Sequence, residues 1–413
     1  MVYALRASCN VKSKGEKVKI ELSDKLKKLP PYLFIEIDKM KKKAVADGVD
    51  IINLGIGDPD LPTLKPVIDV MAREIYKPEN HQYPLGSGLP DFKKAVSEWY
   101  KERYNVNLDP ASETMALIGS KEGIGHIHLA FINPGDVVLC PDPGYPVYNA
   151  GTVFAEGEPY FMPLLQENGF MPDYTKIPAD ILKRAKLLFI NYPNNPTAAV
   201  ATRKFFEDTV VFAKKHNIIV CHDAAYSEVY YDGQRPLSFM QIDGSKDVGI
   251  EFHSFSKTFN MTGWRLGYAV GNKEVLAGLA TVKENIDSGA FHAVQRAGIA
   301  ALKLPASSTD EIRAVYQKRR DTLVEGLRSL GWNVESPKAA FYVWIKVPSK
   351  FRNANAEAKS ISSELVKYLL TKCGIVSTPG VGFGSSGEGY IRMTVCAPEA
   401  RLKEAVDRIK KVW

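Results

Sequence analysis

Short apolar runs that each stop at a polar cluster constrain this chain most. Thr114–Ile118, Asp136–Cys140, Lys186–Ile190, Ile218–Cys221 and Gly249–Phe252 are runs of this kind. They give way to Gly119-Ser120-Lys121, to Pro141-Asp142-Pro143-Gly144-Tyr145, to the turn Asn191–Thr197, to His222-Asp223-Ala224-Ala225-Tyr226 and to His253-Ser254-Phe255-Ser256-Lys257. Helical stretches such as Pro90–Tyr104 and Arg203–His216 lie between them. Runs this apolar read as strands buried on both faces. Strands alternating with helices predict an α/β fold, with a mostly parallel sheet between two helix layers. Such a sheet takes its ligands beyond the carboxyl ends of its strands, which is where the polar clusters fall.

The texture changes after Ser288. Asp310–Leu330, Glu357–Lys372 and Pro398–Lys411 read as helices, and Phe341–Val347, Gly374–Ser377 and Tyr390–Val395 as strands. This predicts a smaller α+β domain from residues 300–413, joined by residues 30–50, whose Pro30–Val45 stretch reads as an extended lead-in and an amphipathic helix. Residues 51–299 form the large domain and 1–29 an N-terminal arm. The Gly-rich Pro379–Gly389 loop reads as an edge of the active site or as a linker.

With 413 residues the chain is long enough for two or three domains. A net charge of +7 spread over that length gives no concentrated basic patch, so nucleic acid is not an expected partner. No run of about eighteen apolar residues exists, so no membrane span is expected. The five cysteines are scattered without a C-x-x-C pair, which implies a reducing compartment and a cytoplasmic protein. The basic first twenty residues also fit an organelle-targeting peptide, though an arm suits their Lys-rich composition better.

The chemistry centres on Glu251–Gly267. Ser254, Ser256 and Arg265 offer two hydroxyls and a planar fork for a phosphate. Lys257 lies between them, and a lysine that is desolvated near other cations becomes an amine nucleophile toward an aldehyde. A phosphate clamp beside a reactive lysine points to pyridoxal phosphate held as a Schiff base. Ser120 and the Lys121 backbone, at a strand–turn–helix junction, would complete the phosphate cup. Gly119–Gly123 has neither Walker nor G-x-G-x-x-G spacing, which disfavours a nucleotide. Asp223 suits the pyridine nitrogen, Tyr226 and Asn195 the phenolic oxygen, and Tyr145 the ring face. Arg392, in the apolar strand Y-I-R-M-T-V, suits a substrate carboxylate. No metal site is expected.

Asn194-Asn195-Pro196-Thr197, Asp223-Ala224-Ala225-Tyr226, Ser254-Phe255-Ser256-Lys257-Thr258 with Arg265, and Ile391-Arg392-Met393-Thr394 resemble the class I/II aminotransferases of fold type I. The resemblance implies that Lys257 binds the cofactor and shuttles the proton, and that Asp223 pairs with the ring nitrogen. It also implies that Arg392, helped by Asn195 and the Gly57 backbone, grips the substrate. Tyr83 in Q-Y-P-L-G-S-G matches a tyrosine that reaches the phosphate of the opposite subunit, which implies a homodimer with shared active sites. Ile118–Ile124, Pro141–Tyr148, Ile190–Thr197 and His253–Trp264 are similar to the LL-diaminopimelate aminotransferases. These use glutamate to aminate tetrahydrodipicolinate in lysine biosynthesis. In that group Tyr32 and Lys121 match substrate-side residues. Broader aspartate, alanine or aromatic aminotransferases, and a pyridoxal-phosphate lyase, are the alternative readings. The chain departs from the pattern at Ala198, where the usual residue is glycine, and in Asp287–His292, which lacks a substrate-side asparagine.

Overall fold

The computed structural model describes residues 18–29, 33–84 and 86–413, with the backbone alone for 33–37 and 40. The Tyr32 expectation and the side chain of Met40 lie outside the described residues. The strands are β1 (Ile52–Asn53), β2 (Thr114–Leu117), β3 (Val137–Asp142), β4 (Glu158–Pro163), β5 (Ala185–Asn191), β6 (Ile219–Asp223), β7 (Gly249–Ser254), β8 (Gly267–Gly271), β9 (Tyr342–Lys346), β10 (Ile375–Val376), β11 (Thr378–Pro379) and β12 (Tyr390–Thr394).

Seven strands form the central sheet in the order β2-β8-β7-β6-β5-β3-β4. Neighbours from β7 through β4 pair in parallel, and β8 is antiparallel to both β7 and β2. Thus β2 runs with the parallel set, and β8 is the one reversed strand of this sheet. The carboxyl ends of β2, β3, β5, β6 and β7 therefore share one edge, and β8 starts there. Side chains alternate between two apolar layers, as the period of a strand requires. Val137, Leu139, Leu188 and Ile190 join one core, and Val138, Cys140, Leu187 and Phe189 the other. Helix Arg203–His216 covers the first face. Its Thr202 side chain accepts the Phe205 N–H, and Asn217 ends it in the left-handed region at φ 52°.

A third core gathers β9, β12 and helices Ala306–Ser329, Ile361–Cys373 and Glu399–Lys410. β9, β12 and β11 make an antiparallel sheet. The strand expected over Gly374–Ser377 is the two-residue β10, and a separate strand, β11, follows it. β10 pairs with β1, while β11 pairs with β12. Ile52 and Leu54 consequently pack in the third core, so the segment leading to Gly57 is tied to the chain's far end.

Candidate active site

β7 ends at Ser254, whose hydroxyl accepts the Ser256 N–H at 3.3 Å and starts the short helix Phe255–Thr258. That turn carries Lys257 into the crevice, where its Nζ donates to the Gly57 carbonyl at 3.2 Å. Burial pushes the Lys257 ammonium below its ordinary range, against the pull of Cys396 and Asp58 and with the help of Arg265 and Arg392. An amine so shifted offers its lone pair more readily.

Asp223 closes β6 and is buried. Its carboxylate accepts the Tyr148 hydroxyl at 2.8 Å and the Ala225 N–H at 3.3 Å. Burial nevertheless holds its carboxyl above the usual range. A buried acid in this state gains most from a cationic partner.

Beyond β2, helix Ser120–Phe131 opens on Gly119, which sits at φ 75°. A side chain there would strike Arg265: a Cβ would lie 2.6 Å from its Nη2. Arg265 is itself left-handed at φ 56°, with Nη1 donating to the Thr262 carbonyl at 3.0 Å. Together these bring a guanidinium to the N–H groups of a helix start, with Ser254 and Ser256 alongside. That combination suits an anion.

Arg392 forms the opposite wall and is fully buried. Its Nη1 donates to Asn195 Oδ1 at 2.6 Å, and its Nη2 to the Gly55 carbonyl at 2.8 Å. The guanidinium lies 4.1 Å from the ring centre of Tyr342 and 4.6 Å from that of Phe383. The hydroxyls of Tyr342 and Tyr226 are 2.7 Å apart. Gly57 makes room for this packing, because a Cβ there would come within 2.4 Å of the Tyr342 hydroxyl. The Gly-rich loop meets this wall through Phe383. Asp142 accepts from the Ser385 hydroxyl at 2.9 Å and the Ser386 N–H at 3.2 Å, which fastens Phe383 beside Arg392.

Gly57, Ser120, Lys121, Tyr145, Asn195, Asp223, Tyr226, Ser254, Ser256, Lys257, Arg265 and Arg392 thus line a single cleft of about 360 Å³. Tyr83 is 81% exposed and lies outside it. Sequence reasoning missed Tyr342, Thr262, Ile56 and Ala225, which also line it. Tyr342 reads from sequence as one more apolar strand residue. The only signal was the pair of Gly57 and an aromatic that needs its space. Glu122, His126 and Asp287 cluster on helix Ser120–Phe131 and the loop after helix Lys273–Ile286. Lys283 already bridges the two carboxylates at 3.0 and 2.7 Å, so this is an ion-pair network.

The sequence model for aminotransferase class I and II matches residues 49–409. An LL-diaminopimelate aminotransferase of Moorella thermoacetica is 55% identical over 388 residues, covering 94% of this chain and 97% of that protein. One from Aquifex aeolicus is 52% identical, covering 95% and 99%. Among solved structures, substrate-bound BacF from Bacillus subtilis aligns with a TM-score of 0.90 at 37% identity, over 95% of this chain and 98% of that one. A Thermus thermophilus aspartate aminotransferase mutant gives 0.86 at 28% identity, over 96% and 100%. Since the match spans every strand of the sheets and all three cores, and not the cleft alone, the chain belongs to the aminotransferase class I and II family.

Proposed function

We propose that this aminotransferase exchanges an amino group between LL-diaminopimelate and 2-oxoglutarate, with pyridoxal 5′-phosphate as its cofactor. In the biosynthetic direction glutamate would be the donor and tetrahydrodipicolinate the acceptor. The curated relatives bearing that name support the substrate reading.

The residues of the cleft fit the cofactor. A helix start with Arg265 and the hydroxyls of Ser120, Ser254 and Ser256 suits its phosphate. Lys121 would add its backbone to that cup. Asp223, a buried carboxylate at the end of β6, suits its ring nitrogen. Tyr226 and Asn195 suit the phenolic oxygen, and Tyr145 the ring face. When bound, the group supplies an electron sink for the charge left when the substrate loses its α-proton. Lys257 Nζ would hold the aldehyde carbon until the substrate amine displaces it, and the freed amine would then carry the proton from the substrate α-carbon to that former aldehyde carbon. Asp223 would keep the ring nitrogen protonated. Arg392 would receive the α-carboxylate in a bidentate grip, oriented by Asn195 and backed by the Tyr342 ring.

The observation that carries this reading is the fully buried Arg392, aimed across the cleft from a desolvated Lys257. Taking that guanidinium out of water costs free energy, and a substrate carboxylate would offset part of the cost. The high exposure of Tyr83 supports a homodimer in which Tyr83 of the partner subunit reaches the phosphate. We read the third core as the smaller domain. Among the described residues no helix is long and apolar enough to cross a membrane. Cys140, Cys221, Cys373 and Cys396 are buried free thiols, which supports a cytoplasmic setting.

A panel of amino donors and 2-oxoacid acceptors on pure protein tests the assignment. Glutamate formation from LL-diaminopimelate and 2-oxoglutarate, well above that from aspartate, alanine or aromatic donors, is the expected result. No turnover of LL-diaminopimelate would remove the substrate assignment, and no turnover of any donor would remove the reaction.

A further inference from the structure

Glu251 sits in the middle of β7, fully buried and away from the cleft. The Phe239 N–H and the Ser238 and Tyr100 hydroxyls donate to its carboxylate, and two histidine nitrogens face it. The Tyr100 hydroxyl lies at 2.5 Å, His253 Nε2 at 2.7 Å, the Phe239 N–H at 2.7 Å, the Ser238 hydroxyl at 2.8 Å and His222 Nδ1 at 2.8 Å. An ionised carboxylate can accept from all of them, whereas a protonated one would spend an oxygen on its own proton. Burial alone would raise the Glu251 carboxyl, but the bonds from His222 and His253 hold it well below the usual range.

His222 is enclosed by the rings of Phe206 and Phe239, at 5.1 and 6.2 Å between centres. Its second nitrogen, Nε2, lies 3.0 Å from the Tyr192 carbonyl oxygen. A carbonyl only accepts, so Nε2 must carry a proton. Nδ1 faces the Glu251 carboxylate, which also only accepts. Both ring nitrogens therefore point at acceptors. The titratable groups around the ring are Glu251, with His253 and Tyr100 beyond it, and Asp223, the next residue along β6.

We propose that His222 is an imidazolium clamped between Glu251 and the Tyr192 carbonyl, and that this clamp positions the turn carrying Asn195 to Arg392.

The turn is fastened from both sheet faces. On one, Asn191 donates to the Asp223 carbonyl at 2.7 Å and accepts the Asn195 N–H at 2.7 Å. On the other, His222 holds the Tyr192 carbonyl. Neighbouring strand residues face opposite ways, so His222 works behind the sheet while Asp223 faces the cleft. His222 touches no reacting atom and is a positioning residue. A charge-assisted bond suits that role better than a neutral one, being shorter and about twice as strong.

The positioning role rests on the proposal that Arg392 receives the substrate carboxylate. The charge of His222 does not, and it is read separately. Nitrogen-15 NMR of histidine-labelled, cofactor-loaded protein reports it directly, because the chain has only seven histidines. The expected signature is one buried imidazole with two slowly exchanging N–H protons, lost in H222Q. If no imidazole in the wild-type spectrum is doubly protonated, the proposal is overturned whether or not any variant folds. Kinetics of H222Q then test the positioning. Glutamine can donate at one end of the clamp but not at both. Asn195 and Arg392 would bind substrate and transition state alike, so KM for the amino donor should rise about tenfold while kcat stays within about threefold. A charged His222 with unchanged KM, or a fall in kcat alone, would overturn the positioning role and leave the reaction assignment standing.

Discussion

On one side of the cleft, Ser120, Asp223, Ser254 and Lys257 sit at or just past the ends of strands of one sheet. On the other, Tyr342 and Arg392 lie within β9 and β12, and Arg392 rests against the rings of Tyr342 and Phe383. Strand ends free the backbone to turn toward a ligand, and the left-handed Gly119 and Arg265 show that freedom in use. Residues within a strand have no such freedom and are held by what packs around them. Substitutions on the first wall should therefore change chemistry with little effect on folding. On the second they should change substrate binding and carry a packing cost. Under the proposed function the same division would separate cofactor from substrate, the first wall holding the cofactor and the second the amino acid.

Lys257→Ala should have the largest effect. It should cut turnover by ~10⁴-fold or more while the thermal midpoint stays within a few degrees of wild type. Residual turnover close to wild type would break the division at its first wall. Arg392→Ala comes next. Losing a buried charge that grips an anion costs about 2–5 kcal/mol, so kcat/KM for glutamate should drop by roughly 30- to 4,000-fold, with pyridoxal phosphate still retained. Arg392→Lys should not restore it, because an ammonium cannot make the bidentate grip. Equal loss of cofactor and substrate binding would mean that the two walls are not separable.

Asp223→Asn sharpens the comparison from the side of stability. Burial raises the Asp223 carboxyl in the folded chain above its unfolded value. Stability from such a group is present at low pH and lost as pH rises through the raised value. In cofactor-free protein, thermal melts should show D223N above wild type, by a margin that grows with pH. The same variant should retain the cofactor less well, because the ring nitrogen loses its anionic partner. A variant less stable than wild type at every pH would contradict this account of Asp223.

Much of the first wall was legible because polar residues follow directly on apolar runs, as Ser120, Asp223 and Ser254 do. The second wall was legible only at Arg392, whose charge stands out in Y-I-R-M-T-V. Tyr342 was hidden in F-Y-V-W-I-K-V, where alternation looks the same for a core residue and for one lining a cleft. Phe383 was hidden in a loop whose anchor, Asp142, lies far away in the chain. Helices Lys273–Ile286 and His292–Leu302 went unread. The second is rich in alanine and contains Gly298, where a Cβ would come within 2.4 Å of Leu266, so small residues there serve close packing and give little periodic signal. The exposed Tyr83 finds no role within one chain, and its proposed use needs a second copy.

Ala198 predicts the smallest effect. It replaces the expected glycine at φ 60°, a region that disfavours a side chain. Ala198→Gly should stabilise the protein by about 1 kcal/mol, read as a rise in the thermal midpoint, without changing KM. A change in KM would mean that this turn belongs to the substrate wall.

The central claim is that Lys257, made nucleophilic by burial, is the residue that binds the cofactor. Borohydride treatment of protein loaded with pyridoxal phosphate, followed by peptide mass mapping, tests it most directly. The account predicts the cofactor's mass fixed on the peptide that carries Lys257 and on no other. A mass fixed on a different lysine, or none fixed at all, would contradict it.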